Sequence, residues 1–313
     1  MAAELDLERA LVIGVASSAL FDLRESDAVF REQGEERYRE YQREHLDDVL
    51  EPGVAFPFIR RLLDLNDLSD RERLVEVVIL SRNDPETGMR VMRSVAHHGL
   101  DITRAIFMQG RAPYRFMKPL RMSLFLSANE DDVREAIDMG FAAGHVVGRA
   151  QPDDGDTDLR IAFDFDGVIA DDESEREYQK EGLSGFHRLE QEKASTPHSP
   201  GPLRRLFEQL SAFQRFDYNH RGAADPYFEP AVRISIVTAR GAPSEERLIT
   251  TLKSFGMSAA ELFLLDGLDK QPFLKAIRPH IFFDDQANNL KPSLNIVPSV
   301  LVPFGIHHLE KLP

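Results

Sequence analysis

The chain has 313 residues and a formal net charge of −15, with 42% hydrophobic and 29% charged residues. This balance is typical of a globular protein with one large or two ordinary domains, and the acidic charge argues against a nucleic-acid-binding protein. No cysteine is present, which excludes disulfides, thiolate zinc sites and cysteine nucleophiles. No long apolar run or secretory leader is recognised, so we expect a cytoplasmic protein without a membrane anchor.

Short apolar strands alternate with charged helices, and the pattern repeats. VIGVASSALFD begins at position 12 and matches IAFDFDGVIAD at position 161, an offset of 149 residues. VVILSRN at position 77 matches ISIVTAR at position 234, an offset of 157, and FREQGEERYREYQ (30–42) resembles YQKEGLSGFHRLE (178–190). Such alternation predicts parallel sheets with helices on both faces. We predict two tandem Rossmann-like α/β units, 1–150 and 151–313, joined by a polar linker at about 149–158.

The first chemical feature of the second unit is Asp164-Phe165-Asp166-Gly167-Val168, directly after the apolar strand Leu159–Phe163. Two carboxylates at this spacing can do different work, with Asp164 facing the cleft and Asp166 lying on the turn. Gly167 permits a tight turn whose amides can face an anion. A calcium loop also begins D-x-D, but no Glu-terminated continuation follows, so a catalytic turn is favoured.

The second feature is Thr238-Ala239-Arg240, after the apolar strand 234–237. The Thr238 hydroxyl lies at a strand tip, where it can bond a phosphoryl oxygen or cap the next helix. Arg240 can contact phosphate or form a surface ion pair, and the sequence leaves both roles open.

The third feature is a lysine that offsets the charge between a carboxylate and a phosphate. Lys270 and Lys275 are both candidates. Lys275 has a counterpart in the first half, Lys118, whereas Lys270 stands opposite Pro113. Lys270 is therefore favoured.

The fourth feature is the pair Asp284 and Asp285, after the apolar strand 281–283. Adjacent acids at a buried strand end are costly unless they meet a cation, and carboxylate oxygens suit Mg²⁺. We expect Asp285 to be the direct ligand and Asp284 to hold a water or the lysine, although the two roles could be exchanged.

The order and context of the four features resemble the haloacid dehalogenase (HAD) phosphatase superfamily. The resemblance implies that Asp164 is a nucleophile forming an aspartyl-phosphate, with its second oxygen on Mg²⁺. It also implies that Asp166 protonates the leaving alkoxide and then serves as base for water, its backbone carbonyl being a metal ligand.

The first half lacks this set, so we predict a catalytically degenerate N-terminal unit that serves as scaffold, oligomer contact or cleft wall. Only Ser81 remains, opposite Thr238. The other positions carry neutral residues: Val15 for Asp164, Ser17 for Asp166, Pro113 for Lys270, and Ser127 and Ala128 for Asp284 and Asp285.

The segment at about 172–231 separates the first two features and is predicted to be a helical cap insertion over the substrate. Aromatic stacking on a nucleobase is worth about 1–3 kcal/mol per base, although any single ring is expected more often in the core of the cap itself than on a base. Phe186 and His187 are our candidate substrate contacts, together with Arg240 and Gly167. The other aromatic residues of this segment that we considered are Phe213, Phe216 and Tyr218.

A closer resemblance covers nearly the whole chain. The segments ASSALFD (16–22), PGVAFPFIRRLL (52–63), LFLSAN (124–129), AFDFDGVIADDESE (162–175) and IRPHIFFDD (277–285) resemble the cytosolic 5′-nucleotidase I family. That resemblance implies magnesium-dependent hydrolysis of nucleoside 5′-monophosphates, AMP prominently. It implies no base preference, because DFDGV departs from the animal members after the first Asp.

Two other functions stay open at this point. One is a HAD-type phosphatase of a sugar phosphate or another small metabolite, and the other is a non-catalytic nucleotide-binding regulatory protein. The retained acids and lysine argue against the second. The expected partner is a small nucleoside monophosphate rather than a nucleic-acid polymer or a membrane, and a homo-oligomer is left open.

Overall fold

The computed structural model describes residues 5–152, 155–222 and 228–308. The chain divides into two compact units, Met1–Asp153 and Asp154–Pro313. The predicted linker includes Asp153 and Asp154, and the predicted cap includes residues 223–227; these positions lie outside the described residues. None of the described helices is both long and apolar enough to cross a membrane.

The first unit, over its described residues, contains a five-stranded parallel sheet in the order β3-β2-β1-β4-β5. Its strands are β1 (Leu11–Val15), β2 (Val75–Ser81), β3 (Arg104–Phe107), β4 (Leu124–Ser127) and β5 (Ala143–Val147). Its helices are α1 (Ser17–Leu20), α2 (Arg24–Glu44), α3 (Phe56–Asp64), α4 (Gly88–His97) and α5 (Glu130–Asp138). Every residue of β1, β2 and β4 is buried, because a parallel sheet is covered on both faces.

The second unit, within the described part of the chain, also contains a five-stranded parallel sheet, in the order β10-β9-β6-β7-β8. Its strands are β6 (Leu159–Phe163), β7 (Val232–Thr238), β8 (Glu261–Leu264), β9 (Ile281–Asp284) and β10 (Ser299–Leu301). Its helices are α6 (Glu173–Glu192), α7 (Arg204–Asp217), α8 (Glu245–Ser254), α9 (Gln271–Ile277) and α10 (Ala287–Leu290). The predicted α/β class with parallel sheets is confirmed.

The two sheets have the same topology. Each has its first strand at the centre, between the second and fourth, with the third and fifth at the edges. Unusual backbone conformations recur at the offset of 157: Gln109 and Asp266 both have φ 48°, and Arg121 and Arg278 both have φ 52°. Because non-glycine residues rarely adopt positive φ, this agreement supports the duplication that the sequence indicates.

The strand register corrects the predicted alignment at one point. Val15 pairs with Leu126, and Phe163 pairs with Phe283. The Ala16 amide donates to the Leu126 carbonyl, just as the Asp164 amide donates to the Phe283 carbonyl, each at 2.8 Å. Ala16, not Val15, is therefore the counterpart of Asp164, and the strand offset is 148 rather than 149.

After the turn that follows β1 or β6, the offset returns to 149. The Leu20 carbonyl accepts a hydrogen bond from the Gly53 amide, and the Ile169 carbonyl accepts the equivalent bond from the Gly201 amide. The turn after β6 is therefore one residue longer than the turn after β1. Gly167 has φ 68°, whereas no residue at 16–19 has positive φ. An insertion of one residue at Gly167 accounts for the difference and makes Ser18, not Ser17, the counterpart of Asp166.

The segment predicted as a cap consists of two different parts. Helix α6 is broken at Gly182, and the chain returns to the turn after β6 at Pro200, which bridges to Ala170. Helix α7 instead packs on the sheet, where the Phe207 and Phe163 ring centroids lie 5.2 Å apart. The structure thus limits the insertion to about 172–199.

The aromatic residues of α7 lie away from the ends of the strands where the predicted site is. Gln214 donates to the carbonyl of Val232, the first residue of β7. Phe213, Phe216 and Tyr218 belong to this part of α7 and the turn after it. Of the aromatic candidates, only Phe186 and His187 belong to the insertion itself.

Candidate active site

The predicted acids meet at the carboxyl ends of the central strands of the second unit. Asp164 directly follows β6, Thr238 ends β7, Asp284 ends β9 and Asp285 follows it. The order β9-β6-β7 places a topological switch point between β6 and β9, because the chain leaves β6 toward β7 and reaches β9 later. Open α/β sheets bind ligands at such points.

Lys270 bridges two of these acids. Its Nζ donates to Asp164 Oδ2 at 2.8 Å and to Asp284 Oδ2 at 2.7 Å. Burial acts to lower the pKa of Lys270, but the two carboxylates outweigh it and raise that pKa. Lys270 occupies the N-cap position of α9, so the start of this helix sets where the ammonium group lies.

The carboxylates outnumber the positive charges of this cluster. Oxygen atoms of Asp164, Asp284 and Asp285 lie within 4.8 Å of one another. Burial raises the pKa of Asp164 to about 7, with Lys270 opposing the rise and Asp284 adding to it. Burial, followed by the charges of Asp284 and Asp164, raises the pKa of Asp285 well above its ordinary value. One ammonium group leaves three crowded acids undercompensated, which a divalent cation would correct.

Asp285 has the free oxygen that a metal site needs. Its Oδ1 is buried and has no hydrogen-bond partner within the described residues. Asp284 is engaged: Oδ2 accepts from Lys270, and Oδ1 accepts from the Gln286 amide and from Asn289 Nδ2. A set of carboxylate oxygens with an unsatisfied member fits a hard cation such as Mg²⁺. The geometry favours Asp285 over Asp284 as the direct ligand.

Gly167 is in contact with this acid. A Cβ atom at position 167 would lie 2.0 Å from Asp285 Oδ2. The glycine is required both by its positive φ and by this close approach. In the structure, Gly167 leaves space for the Asp285 carboxylate. The role in anion binding that the sequence predicts for Gly167 stays a prediction.

Asp166 is not one of the three clustered carboxylates, and both of its oxygens bind Arg240. Arg240 Nε donates to Asp166 Oδ2 and Nη2 donates to Asp166 Oδ1, each at 2.6 Å. The Arg240 side chain is only 2% exposed, so it does not form the surface ion pair that was one of its two predicted roles. Its observed partner is a carboxylate of the predicted site.

Thr238 is buried at the end of β7, with its Oγ1 accepting a 3.3 Å bond from the Arg240 amide. It does not cap the next helix, which begins at Glu245. The hydroxyl proton remains available for an acceptor at the strand tip. The placement agrees with contact to a phosphoryl oxygen.

Phe186 lies against Arg240, and His187 lies against Phe186. The Arg240 guanidinium carbon is 4.9 Å from the Phe165 ring centroid and 5.4 Å from that of Phe186. Phe186 is buried, and the adjacent His187 has a buried Nε2 with no partner in the described part of the chain. Phe186 therefore uses one ring face to hold Arg240.

The sequence did not identify a buried acid next to this pair. Glu190, on α6, accepts hydrogen bonds from Arg240, Arg247 and Ser174, and it lies 3.5 Å from His198. A Glu in a charged helix is usually exposed to solvent, so the local sequence around Glu190 did not indicate that it is buried. The internal repeat did contain an indication: Glu190 aligns with Gln42, whose Oε1 accepts a hydrogen bond from Arg90 in the first unit.

Two comparisons with known proteins found matches to this chain, and a third found none. A family model described as 5′-nucleotidase matches residues 3–309. Cytosolic 5′-nucleotidase 1B of Homo sapiens is 35% identical over 285 residues, covering 89% of this chain and 46% of the relative. The chain therefore spans about half the length of that relative. No solved structure matches the chain significantly.

Proposed function

The chain belongs to the 5′-nucleotidase family, and from that premise we propose that it hydrolyses nucleoside 5′-monophosphates of the AMP type to nucleoside and phosphate. The observation that carries the proposal is the buried cluster of Asp164, Asp284 and Asp285 around Lys270, at the switch point of a parallel sheet. We propose that both units are HAD-type and that the first is catalytically degenerate. We also propose a cytoplasmic location, by analogy with the cytosolic relative.

The first step transfers the phosphoryl group to the protein. An Asp164 carboxylate oxygen attacks phosphorus, the bond from phosphorus to the ester oxygen breaks, and Asp166 gives its proton to the leaving oxygen. Lys270 offsets the charge between Asp164 and the phosphoryl oxygens, and Thr238 donates to one of those oxygens. The product of this step is an aspartyl-phosphate on Asp164.

The second step returns the carboxylate. Asp166, now ionised, removes a proton from water as the water oxygen attacks phosphorus, and the bond from phosphorus to Asp164 breaks. Asp164 and Asp285, with the backbone carbonyl of Asp166, would hold Mg²⁺. A bound Mg²⁺ neutralises charge on the phosphoryl oxygens.

A substrate panel tests this proposal. The wild type with Mg²⁺ is assayed for phosphate release from nucleoside mono- and diphosphates and sugar phosphates, beside Asp164→Asn. We expect nucleoside 5′-monophosphates to give the highest kcat/KM and Asp164→Asn to lose about 10³-fold or more in kcat. Preference for a sugar phosphate would replace the substrate class, and full activity of the Asp164 variant would refute the mechanism.

A further inference from the structure

The ion pair between Arg240 and Asp166 has a geometry that fixes a side chain. Two parallel bonds of 2.6 Å join the guanidinium to both carboxylate oxygens. A bidentate pair of this kind sets the plane of the carboxylate as well as its position. The Asp166 side chain is 16% exposed, and each of its oxygens keeps a second lone pair beyond the one that faces Arg240, so the paired group can still accept and pass on a proton.

Arg240 is itself held from several sides. The rings of Phe165 and Phe186 lie at 4.9 and 5.4 Å from its guanidinium carbon, and its Nη1 donates to the fully buried Glu190. Both Phe186 and Glu190 belong to α6. The insertion thus supplies the contacts that orient Arg240.

The first unit provides an internal comparison. Arg90 donates to Gln42 as Arg247 donates to Glu190, so this arginine contact exists in both units. At the position of Arg240 the first unit has Asn83, which accepts from the hydroxyl of Tyr38, the counterpart of Phe186. The arginine that binds Asp166 is therefore particular to the unit that carries the carboxylates, whereas Arg247 is part of the shared framework.

We propose that Arg240 is a positioning residue for proton transfer, orienting Asp166 toward the leaving oxygen, and that Glu190 and Phe186 of the insertion hold Arg240 in place. The inference rests on the proposed function, in which Asp166 transfers a proton. The Asp166 proton goes to the leaving alkoxide oxygen and is recovered from water in the second step. Arg240 keeps all its protons throughout.

Two ester substrates distinguish a positioning role of Arg240 from a general effect of Arg240 on the stability of the fold. A nucleoside 5′-monophosphate releases a basic alkoxide that must be protonated, whereas p-nitrophenyl phosphate releases a stable phenolate that departs without an acid. Loss of acid catalysis should therefore slow phosphoryl transfer to Asp164 only for the nucleotide, within the 10²–10⁴-fold range that such catalysis contributes. Asp166 serves as base for both esters in the second step, so the contrast is measured in kcat/KM, which reports the first step. A variant that only loosens the fold slows both esters equally.

The test measures kcat and KM with both esters for the wild type, Arg240→Gln, Arg240→Lys and Arg247→Gln. We expect Arg240→Gln to lower kcat/KM for the nucleotide about 100-fold and kcat/KM for the aryl ester less than about threefold, because kcat/KM reports the first step and excludes the shared hydrolysis of the aspartyl-phosphate. Arg240→Lys keeps the positive charge, and we expect it to fold, but it lacks the two parallel N–H donors of the guanidinium. It should therefore show the same contrast with a smaller difference between the two esters. Arg247→Gln, the matched control, removes another buried arginine from Glu190 and should show no contrast.

Equal losses of kcat/KM on both esters in both Arg240 variants, or the same contrast in Arg247→Gln, would overturn the inference while leaving the hydrolase intact. A wild type inactive on every ester would overturn the proposed function and the inference with it. Circular dichroism of each variant distinguishes a folded protein from an unfolded one, and Arg240→Lys supplies the result if Arg240→Gln does not fold.

Discussion

Asp285 lies directly against the backbone of Gly167. The carboxylate enters space that any other residue at position 167 would fill, since a Cβ there would lie 2.0 Å from Oδ2. Its second oxygen is buried and has no partner among the residues described. A residue with no side chain thus determines where the proposed metal ligand lies.

Gly167→Ala should displace Asp285 and raise the Mg²⁺ concentration that gives half-maximal activity by about tenfold or more, as measured by titrating Mg²⁺ in the hydrolysis assay. Gly256→Ala is the matched control, because Gly256 has nearly the same φ, 67°, and open space where the Cβ would be. That control should cost about 1 kcal/mol in stability and leave the Mg²⁺ requirement unchanged. An equal shift in both variants would show that backbone strain, not contact with Asp285, is responsible.

Helix α6 is anchored by a charge network that hydrophobic periodicity does not reveal. Glu190 and Arg247 are both buried and meet across 57 positions of the chain, and neither lies in a pattern that predicts burial. The strand ends were predictable, because acids after apolar strands of a parallel sheet must meet at one edge. Contacts between α6 and the distant helix α8 depend on tertiary packing, which hydrophobic periodicity does not encode.

Glu190 should make the second unit sensitive to acid. Burial alone would raise the pKa of Glu190, but His198 and Arg240 hold it well below its ordinary value of 4.5. A carboxyl group with a lowered pKa stabilises the fold fully above its ordinary pKa and progressively less as the pH falls below it. We expect Glu190→Gln to lower the free energy of unfolding by about 3 kcal/mol at pH 7, and by less at pH 4.

Urea denaturation at the two pH values measures this difference. Glu181→Gln is the control, because Glu181 forms an exposed pair with Arg188 on the same helix and exposed pairs contribute little. If the cost of Glu190→Gln were the same at both pH values, ionisation of Glu190 would not be the source of its stabilisation.

At the scale of the molecule, two units share one topology and differ in the side chains at their strand ends. The family, the α/β class and the repeat were all predictable, because strand and helix patterns survive where the strand-end residues differ. The one-residue insertion at Gly167 was not, since small residues in both turns align equally well at either offset. Only the pairing of Val15 with Leu126 and of Phe163 with Phe283 fixed the register.

Ser81 and Thr238 provide a matched pair for the claim that one unit is catalytic. Each is buried at the end of its strand, and its hydroxyl oxygen accepts a hydrogen bond from the backbone amide two residues later in the chain. Loss of either hydroxyl therefore has a similar structural cost. We expect Thr238→Ala to lower kcat by about tenfold or more and Ser81→Ala to leave it within twofold, as measured by steady-state kinetics. Comparable losses would mean that the first unit takes part in the chemistry.

The most direct test is to trap the phosphorylated protein. Protein mixed with nucleoside monophosphate and Mg²⁺ is quenched in acid, digested and analysed by mass spectrometry. We predict one added phosphoryl group on the peptide that contains Asp164, removed by hydroxylamine and missing from Asp164→Asn. Rapid turnover with the phosphoryl group on another residue, or on the same peptide of the Asp164→Asn variant, would contradict the account.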